Sequence, residues 1–245
     1  MKLKLAYLLL ASMPFTTMAS DGHWGYTGKQ SAEHWGELSS KYALCSSGVN
    51  QSPINIITSS VIEAELPPLV VNSNINDFDM INNGHSIQAN IKGDNTFTND
   101  DGTFNLLQFH FHAPSEHTID GKSFPFEAHF VHADQDGRFA VIGVMFEVGK
   151  SNPELAQMWK NMPTANQSKS TLIHALTKIK LLPEEKSYYR YNGSLTTPPC
   201  TEGVRWYILK DTIEASQAQI DKFHNIIGTD TNRPTLPINA RVILQ

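Results

Sequence analysis

The 245-residue chain is poor in several features, and each shortage narrows what it can be. It has two cysteines, Cys45 and Cys200, and neither has a second cysteine at C-x-x-C spacing, so a thiolate-built structural zinc site is not expected. Basic runs are absent: 19 Lys plus Arg stand against 24 Asp plus Glu for a net charge of −5, which argues against a nucleic-acid partner. No apolar stretch reaches the roughly 20 residues that a membrane-spanning helix needs. H-E-x-x-H is missing, and with it the helical metalloprotease pattern. There is neither an internal repeat nor a Pro/Gly/Ser-rich linker, so one domain is expected.

The first nineteen residues differ from the rest. Lys2 and Lys4 are their only charges, Leu5 to Ala11 is apolar, and Thr17-Met18-Ala19 is a small-x-small cleavage pattern. This predicts a signal peptide over 1–19, a mature domain over 20–245, and export to the periplasm, with full secretion as the alternative. An exported chain meets an oxidising compartment, so its two cysteines predict one disulfide, Cys45 to Cys200.

Turn signals such as Asn82-Asn83-Gly84, Asp120-Gly121, Asp136-Gly137 and Asn192-Gly193 punctuate short β-type runs. Ser86 to Ile91, Leu106 to His112, Phe126 to His132, Phe139 to Glu147, Tyr188 to Tyr191 and Val204 to Leu209 read as strands. Helical periodicity is confined to Asn152–Lys160, Lys169–Lys180 and Ser216–Ile227, the last with Ser216 as N-cap and Gly228 as stop. The fold class expected is α+β and β-dominated: a single domain on a large, mainly antiparallel sheet with short peripheral helices.

Of ten histidines, five fall between residues 110 and 132. In Gln108-Phe109-His110-Phe111-His112, strand alternation sends Gln108, His110 and His112 to one face and the two phenylalanines to the other. In Glu127-Ala128-His129-Phe130-Val131 the same parity groups Glu127, His129 and Val131. If the two strands pair, three imidazoles converge, and a metal held by them keeps its fourth position open, the catalytic zinc pattern. Gln108 and Glu127 each precede a histidine by two residues on the same face, where they can take that ring's other N–H and fix its orientation. H-x-H in a strand is also compatible with hydrogen-bonded core histidines; the flanking Gln and Glu and the third His favour metal. His132 falls on the opposite face and His117 in a turn-like segment, so both are read as structural.

These segments, with Ser115-Glu116-His117-Thr118, resemble the α-class carbonic anhydrases. Trp24-Gly25-Tyr26, Asn50-Gln51-Ser52-Pro53-Ile54, Asn82-Asn83-Gly84-His85, Leu195-Thr196-Thr197-Pro198-Pro199-Cys200-Thr201-Glu202 and Asn232-Arg233-Pro234 follow in that family's order, so the resemblance covers essentially the whole mature chain. It implies a large twisted sheet and zinc bound by His110, His112 and His129, the trio that strand parity selects. It also implies that Thr196 donates its proton to Glu116 and so orients zinc-bound hydroxide, and that His85 is the proton shuttle. Val131, Val141, Leu195, Val204 and Trp206 are implied as the apolar wall beside the substrate. Tyr26, Asn83, Gln88 and Thr197 are implied as the polar wall that orders water toward His85. The disulfide pair matches that of secreted bacterial members. Ala113-Pro114-Ser115 is shorter than the matching loop of many animal members, as in bacterial relatives.

The implied activity is reversible hydration of carbon dioxide to bicarbonate and a proton by attack of zinc-bound hydroxide, a lyase reaction. The alternative readings are a zinc esterase or hydrolase, and a non-catalytic ligand-binding domain on the same fold, which loss of a zinc histidine would mark. The oligomeric state is left open, a homodimer included.

Overall fold

Runs of alternating polarity between tight turns become strands, and the residues between the strands supply the turns. The computed structural model describes residues 22–73, 77–173 and 181–245. The main strands are β1 (Asp77–Asn82), β2 (Ile87–Ile91), β3 (Gly102–His112), β4 (Phe126–Ala133), β5 (Phe139–Val148), β6 (Lys169–Ile173), β7 (Tyr188–Ser194) and β8 (Glu202–Leu209). They lie in the order β6-β1-β2-β3-β4-β5-β8-β7 within an eleven-stranded sheet. The short strands Val70–Asn72, Thr96–Asn99 and Ile213–Ala215 complete it. Pairing is antiparallel except where β5 meets β8 and Ile213–Ala215, so the sheet is mainly antiparallel, as expected.

The β4–β5 turn illustrates the local chemistry. Asp134 Oδ1 accepts from the N–H groups of Asp136 (3.0 Å) and Arg138 (2.9 Å), and Gly137 takes φ +77°, a conformation that costs glycine little.

Two helices cover one face, α1 (Pro153–Lys160) and α2 (Gln217–Ile227). Asn152 caps α1, its Oδ1 accepting from Glu154 and Leu155 N–H, with Pro153 in the first turn. Ser216 and Gln219 form a capping box on α2, and Gly228 ends it at φ +84°. The helix expected over Lys169–Lys180 is not formed where it is described. Lys169–Ile173 is strand β6, antiparallel to β1 from Lys169↔Ile81 to Ile173↔Asp77. Tertiary pairing overrides local propensity there, because β1 otherwise presents an open edge; the rest of that segment lies outside the described residues.

The sheet has an apolar and a mixed face. Phe109, Phe111, Ala128 and Phe130 join the larger core with Trp159 of α1 and Phe223 of α2. Val131, Val141, Met145, Trp206 and Ile208 form a second cluster. A third is built on Trp35 and the Cys45–Cys200 disulfide, which closes 155 residues of chain. The chain-entropy account assigns so long a closure about 5 kcal/mol. The expected signal peptide lies outside the described residues.

Candidate active site

Pairing of β3 with β4 sets the site. His110 lies opposite His129 and His112 opposite Glu127, so strand alternation delivers all four side chains to the face away from the helices. The nitrogens of His110, His112 and His129 that could hold a metal ion lie within 4.8 Å of one another. Each ring is fixed through its other nitrogen: His110 Nδ1 to Gln108 Oε1 (2.8 Å), His112 Nδ1 to the Thr231 carbonyl (2.6 Å), and His129 Nε2 to Glu127 Oε1 (2.7 Å). That leaves Nε2 of His110, Nε2 of His112 and Nδ1 of His129 to converge. His112 Nε2 is buried with no hydrogen-bond partner, an expensive lone pair to leave idle unless something binds it.

Electrostatics follow from this packing. Burial, reinforced by His112 and His129, holds the His110 imidazole well below its ordinary pKa. Burial also lowers His112, against the opposing pull of Glu116. Burial works the same way on His129, but the Glu127 carboxylate bonded to it, and then Glu116, outweigh it and raise its pKa. Burial alone would raise Glu127; His129 and His117 instead hold it well below the usual carboxylate range. Neutral His110 and His112 keep lone pairs for a metal, and a carboxylate behind His129 makes that ring a better donor.

His117 belongs to this network, which its place in a turn did not reveal. Its Nδ1 meets Glu127 Oε1 at 2.8 Å and its Nε2 meets Tyr191 Oη at 2.6 Å, and Tyr191 Oη in turn meets Ser52 Oγ at 2.9 Å. The backbone N–H groups of Glu116 and His117 both donate to Glu127 Oε2, at 2.8 and 3.0 Å. Gly143 of β5 leaves room for Glu127: a Cβ there would come within 3.2 Å of its Oε1 and 2.7 Å of Ile208 Cδ1. Thr231, Tyr191 and Arg233 are further residues that sequence reasoning did not single out. Of these, only Arg233 belongs to one of the family-like motifs, Asn232-Arg233-Pro234.

Glu116 is buried, and its Oε1 accepts from the Arg233 backbone N–H at 2.9 Å. Its Oε2 has no hydrogen-bond partner and lies 3.4 Å from His112 Nε2 and 3.7 Å from His129 Nδ1. The Thr196–Glu116 hydrogen bond implied by resemblance is therefore not formed in this structure; Oε2 of the carboxylate is turned toward the two imidazoles instead.

A cleft of about 250 Å³ opens beside the histidines. Gln108, His110, His129, Val131, Val141, Leu195, Thr196, Thr197 and Trp206 line it, together with Leu107 and Phe139, which no sequence motif marks. Strict alternation would send Leu107 into the core, but a bulge between Leu106 and Gln108 makes it the extra residue, 45% exposed. Val204 is not a lining residue; it packs in the cluster behind, with Trp206. Tyr26, Asn83, Gln88 and His85 do not line this cleft either. Gln88 is the cross-strand neighbour of His110, and Asn83 Nδ2 donates to Gln88 Oε1 at 3.3 Å. Tyr26 is raised in pKa by burial and by the nearby Glu116 charge. The His85 ring lies flat on Trp24, with centroids 3.7 Å apart and planes 11° apart, and burial plus the neighbouring His23 lower its pKa to about 4. His132 points to the apolar face, edge-on to Phe97 at 4.8 Å.

A family model described as eukaryotic-type carbonic anhydrase matches residues 30–245. The chain belongs to that family. A carbonic anhydrase of Neisseria gonorrhoeae is 47% identical over 98% of this chain and 95% of its own. The structure of an alpha-carbonic anhydrase from Thermovibrio ammonificans, in complex with the inhibitor sulfanilamide, is 48% identical, with a TM-score of 0.88 over 92% of this chain and 100% of that one. Dioscorin DB3S of Dioscorea polystachya is 30% identical over 98% of this chain and 93% of its own. As a carbonic anhydrase the chain catalyses the reversible hydration of carbon dioxide to bicarbonate and a proton. Carbonic anhydrases of this class are zinc enzymes, and the three-histidine cluster is where this one could hold a metal ion. No helix among the described residues is long and apolar enough to cross a membrane.

Proposed function

We propose that His110, His112 and His129 hold zinc at the base of the cleft and that carbon dioxide hydration takes place against them. One observation carries the proposal: three imidazoles, each oriented through its far nitrogen, converge on a point where His112 Nε2 is buried and otherwise unpartnered. Three neutral nitrogen donors, with both cysteines tied in a disulfide, fit zinc with one open position. Zinc bound there supplies the Lewis acidity that lets water ionise near neutral pH, a general property of the family.

The chain's own residues do the rest. Gln108, Glu127 and the Thr231 carbonyl fix the ring orientations. Val131, Val141, Leu195 and Trp206 offer a small, uncharged substrate an apolar surface, with Val204 supporting it from behind and Thr197 closing the polar end. Thr196 orients the attacking oxygen. A hydroxyl has one proton to donate, and Glu116 Oε2, buried without a partner, is the acceptor that takes it, so that Thr196 must accept from the nucleophile. His85 carries the released proton outward, with Tyr26, Asn83 and Gln88 ordering water on that side.

Stopped-flow hydration by the purified protein, before and after chelation and zinc restoration, tests this reading. Activity should vanish with the metal and return with zinc, and zinc should bind one per chain. Full-occupancy zinc protein without hydration would overturn it in favour of a binding role. We further propose that residues 1–19 are a signal peptide and that the enzyme works in the periplasm. N-terminal sequencing of the periplasmic fraction should begin at Ser20.

A further inference from the structure

Glu116 Oε1 accepts from the backbone N–H of Arg233, and that backbone is itself held by a buried cation. The Arg233 side chain makes its bonds to neutral oxygens. Nη1 donates to Gln51 Oε1 (2.9 Å) and to the Ser52 carbonyl (2.8 Å), and Nη2 donates to the Cys45 carbonyl (2.8 Å). The guanidinium also lies over the fully buried Trp35 ring, 5.6 Å from its centroid. Burial lowers the pKa of this group, against the opposing pull of Glu116. An apolar side chain of similar volume often stabilises a core as well as buried charge does, but it cannot fix direction. Pro234 restricts the same backbone further, because the residue before a proline is biased to extended conformations.

Gln51 carries this anchor across to Thr196. While its Oε1 accepts from Arg233, its Nε2 donates to the Cys200 carbonyl at 3.0 Å and to Glu202 Oε1 at 3.1 Å. Cys200 closes the loop of Thr196: its N–H donates to the Thr197 carbonyl, and Leu195 N–H donates to the Thr201 carbonyl, both at 2.9 Å. One pair of buried side chains thus ties the segment that holds Glu116 to the loop that carries Thr196.

We propose that Arg233 and Gln51 are positioning residues for the reaction: their clamp aims the Arg233 N–H at Glu116 Oε1, which leaves Oε2 as the acceptor for Thr196, and it sets the Thr196 loop at bonding reach of that oxygen. The inference rests on the reading of Glu116 as the acceptor of the Thr196 proton. A carboxylate free to rotate would offer either oxygen, and a loop free to shift would lose the short approach that a hydrogen bond needs. Neither residue touches the reacting atoms; both act through Glu116 and Thr196.

The test compares Arg233→Met, Gln51→Ala and Glu116→Gln as zinc-loaded enzymes, and combines each of the first two with the third. Arg233→Met should lower kcat/KM for carbon dioxide about 10- to 100-fold, the scale of a misplacement near 1 Å. Gln51→Ala should lower it less, by at least about three-fold, because the Arg233 bonds to Ser52 and Cys45 remain. On the Glu116→Gln background neither substitution should slow the reaction further, since the acceptor they position is already lost; a merely structural role would multiply the losses. Amide hydrogen exchange gives a readout free of turnover. The Arg233 N–H should exchange at least about ten-fold faster in Gln51→Ala, while the Thr231 N–H, bonded to the Ala113 carbonyl at 3.0 Å, keeps its rate. Should Arg233→Met not fold, Gln51→Ala carries the test alone. Unchanged kcat/KM in the folded clamp variants beside a slowed Glu116→Gln overturns the clamp and leaves the Thr196–Glu116 reading intact. Losses that multiply, or an unmoved Arg233 exchange rate, overturn it too. Unchanged kcat/KM in Glu116→Gln defeats the reading of Glu116 itself.

Discussion

Strands β3 and β4 carry opposite chemistry on their two faces at nearly equal depth. Phe111 on one face and Glu127 on the other are both 0% exposed. On the helix side, Phe111 stacks on Phe126 at 5.0 Å and meets Trp159 and Phe223 edge-on at 5.3 and 6.3 Å. That face gains from every area withdrawn from water and asks only for complementary shape. The histidine side loses solvation on burial, so each nitrogen and oxygen must find a partner. It does so almost completely, through the chain His129, Glu127, His117, Tyr191 and Ser52. The exceptions there, His112 Nε2 and Glu116 Oε2, stand where the metal and its nucleophile are proposed to sit. Unmet polar groups on an otherwise satisfied face thus locate function better than the face's polarity does.

Emptying the apolar face should have the largest effect. Phe111→Ala should cost about 3–5 kcal/mol of unfolding free energy, read by denaturant titration. Metal content per folded molecule should stay near that of the parent, because the cavity opens on the far side of the sheet. Loss of metal from folded protein would mean that the faces are coupled through the strands.

His132 breaks the comparison, being a titratable ring on the apolar side. It is 3% exposed, its Nδ1 donates to the Phe130 carbonyl at 2.8 Å, and burial lowers its pKa to about 4. The unfolded chain, with an ordinary histidine near 6.5, binds the proton more readily than the folded one. Stability from this group is therefore complete above about pH 6.5, is lost as pH falls toward 4, and changes no further below that, about 3 kcal/mol in all. Subtracting the pH profile of His132→Gln from that of the parent should isolate this window; parallel profiles would refute it.

Strand parity makes the convergence of the histidine trio legible in the sequence, because alternation is a local rule, and the family's motifs point to four residues that line the cleft, Val131, Val141, Leu195 and Trp206, but also to Val204, which does not. What stayed hidden depends on distant partners. His117 reads as a turn residue until β4 brings Glu127 beneath it, and Thr231 contributes only a carbonyl, which no side-chain pattern advertises. Strand β6 looked helical because its pairing with β1 is non-local. Leu107 reached the cleft through a bulge that shifts register by one residue, which strict parity does not anticipate. Strand β1 is faint in the sequence: Phe78 and Met80 alternate with more exposed neighbours, but the surrounding aspartates and asparagines read as turn residues.

The polar face also contains a comparison within itself. Glu127 supports His129 from a fully buried position, and Glu127→Gln should weaken metal affinity by about 10–100-fold in competition with a chelator. The amide keeps the shape but gives up the charge that raises His129, and it brings an N–H₂ group to a place that already receives two backbone donors. Gln108 holds His110 by the same kind of contact, 2.8 Å, yet it is half-buried at the cleft mouth. Water can take over the freed His110 Nδ1–H in Gln108→Ala, whereas none reaches the buried end of His129. Gln108→Ala should accordingly cost less than about ten-fold in metal affinity, below the range for a buried supporting group. Equal losses in the two variants would show that burial does not set how much each supporting contact contributes.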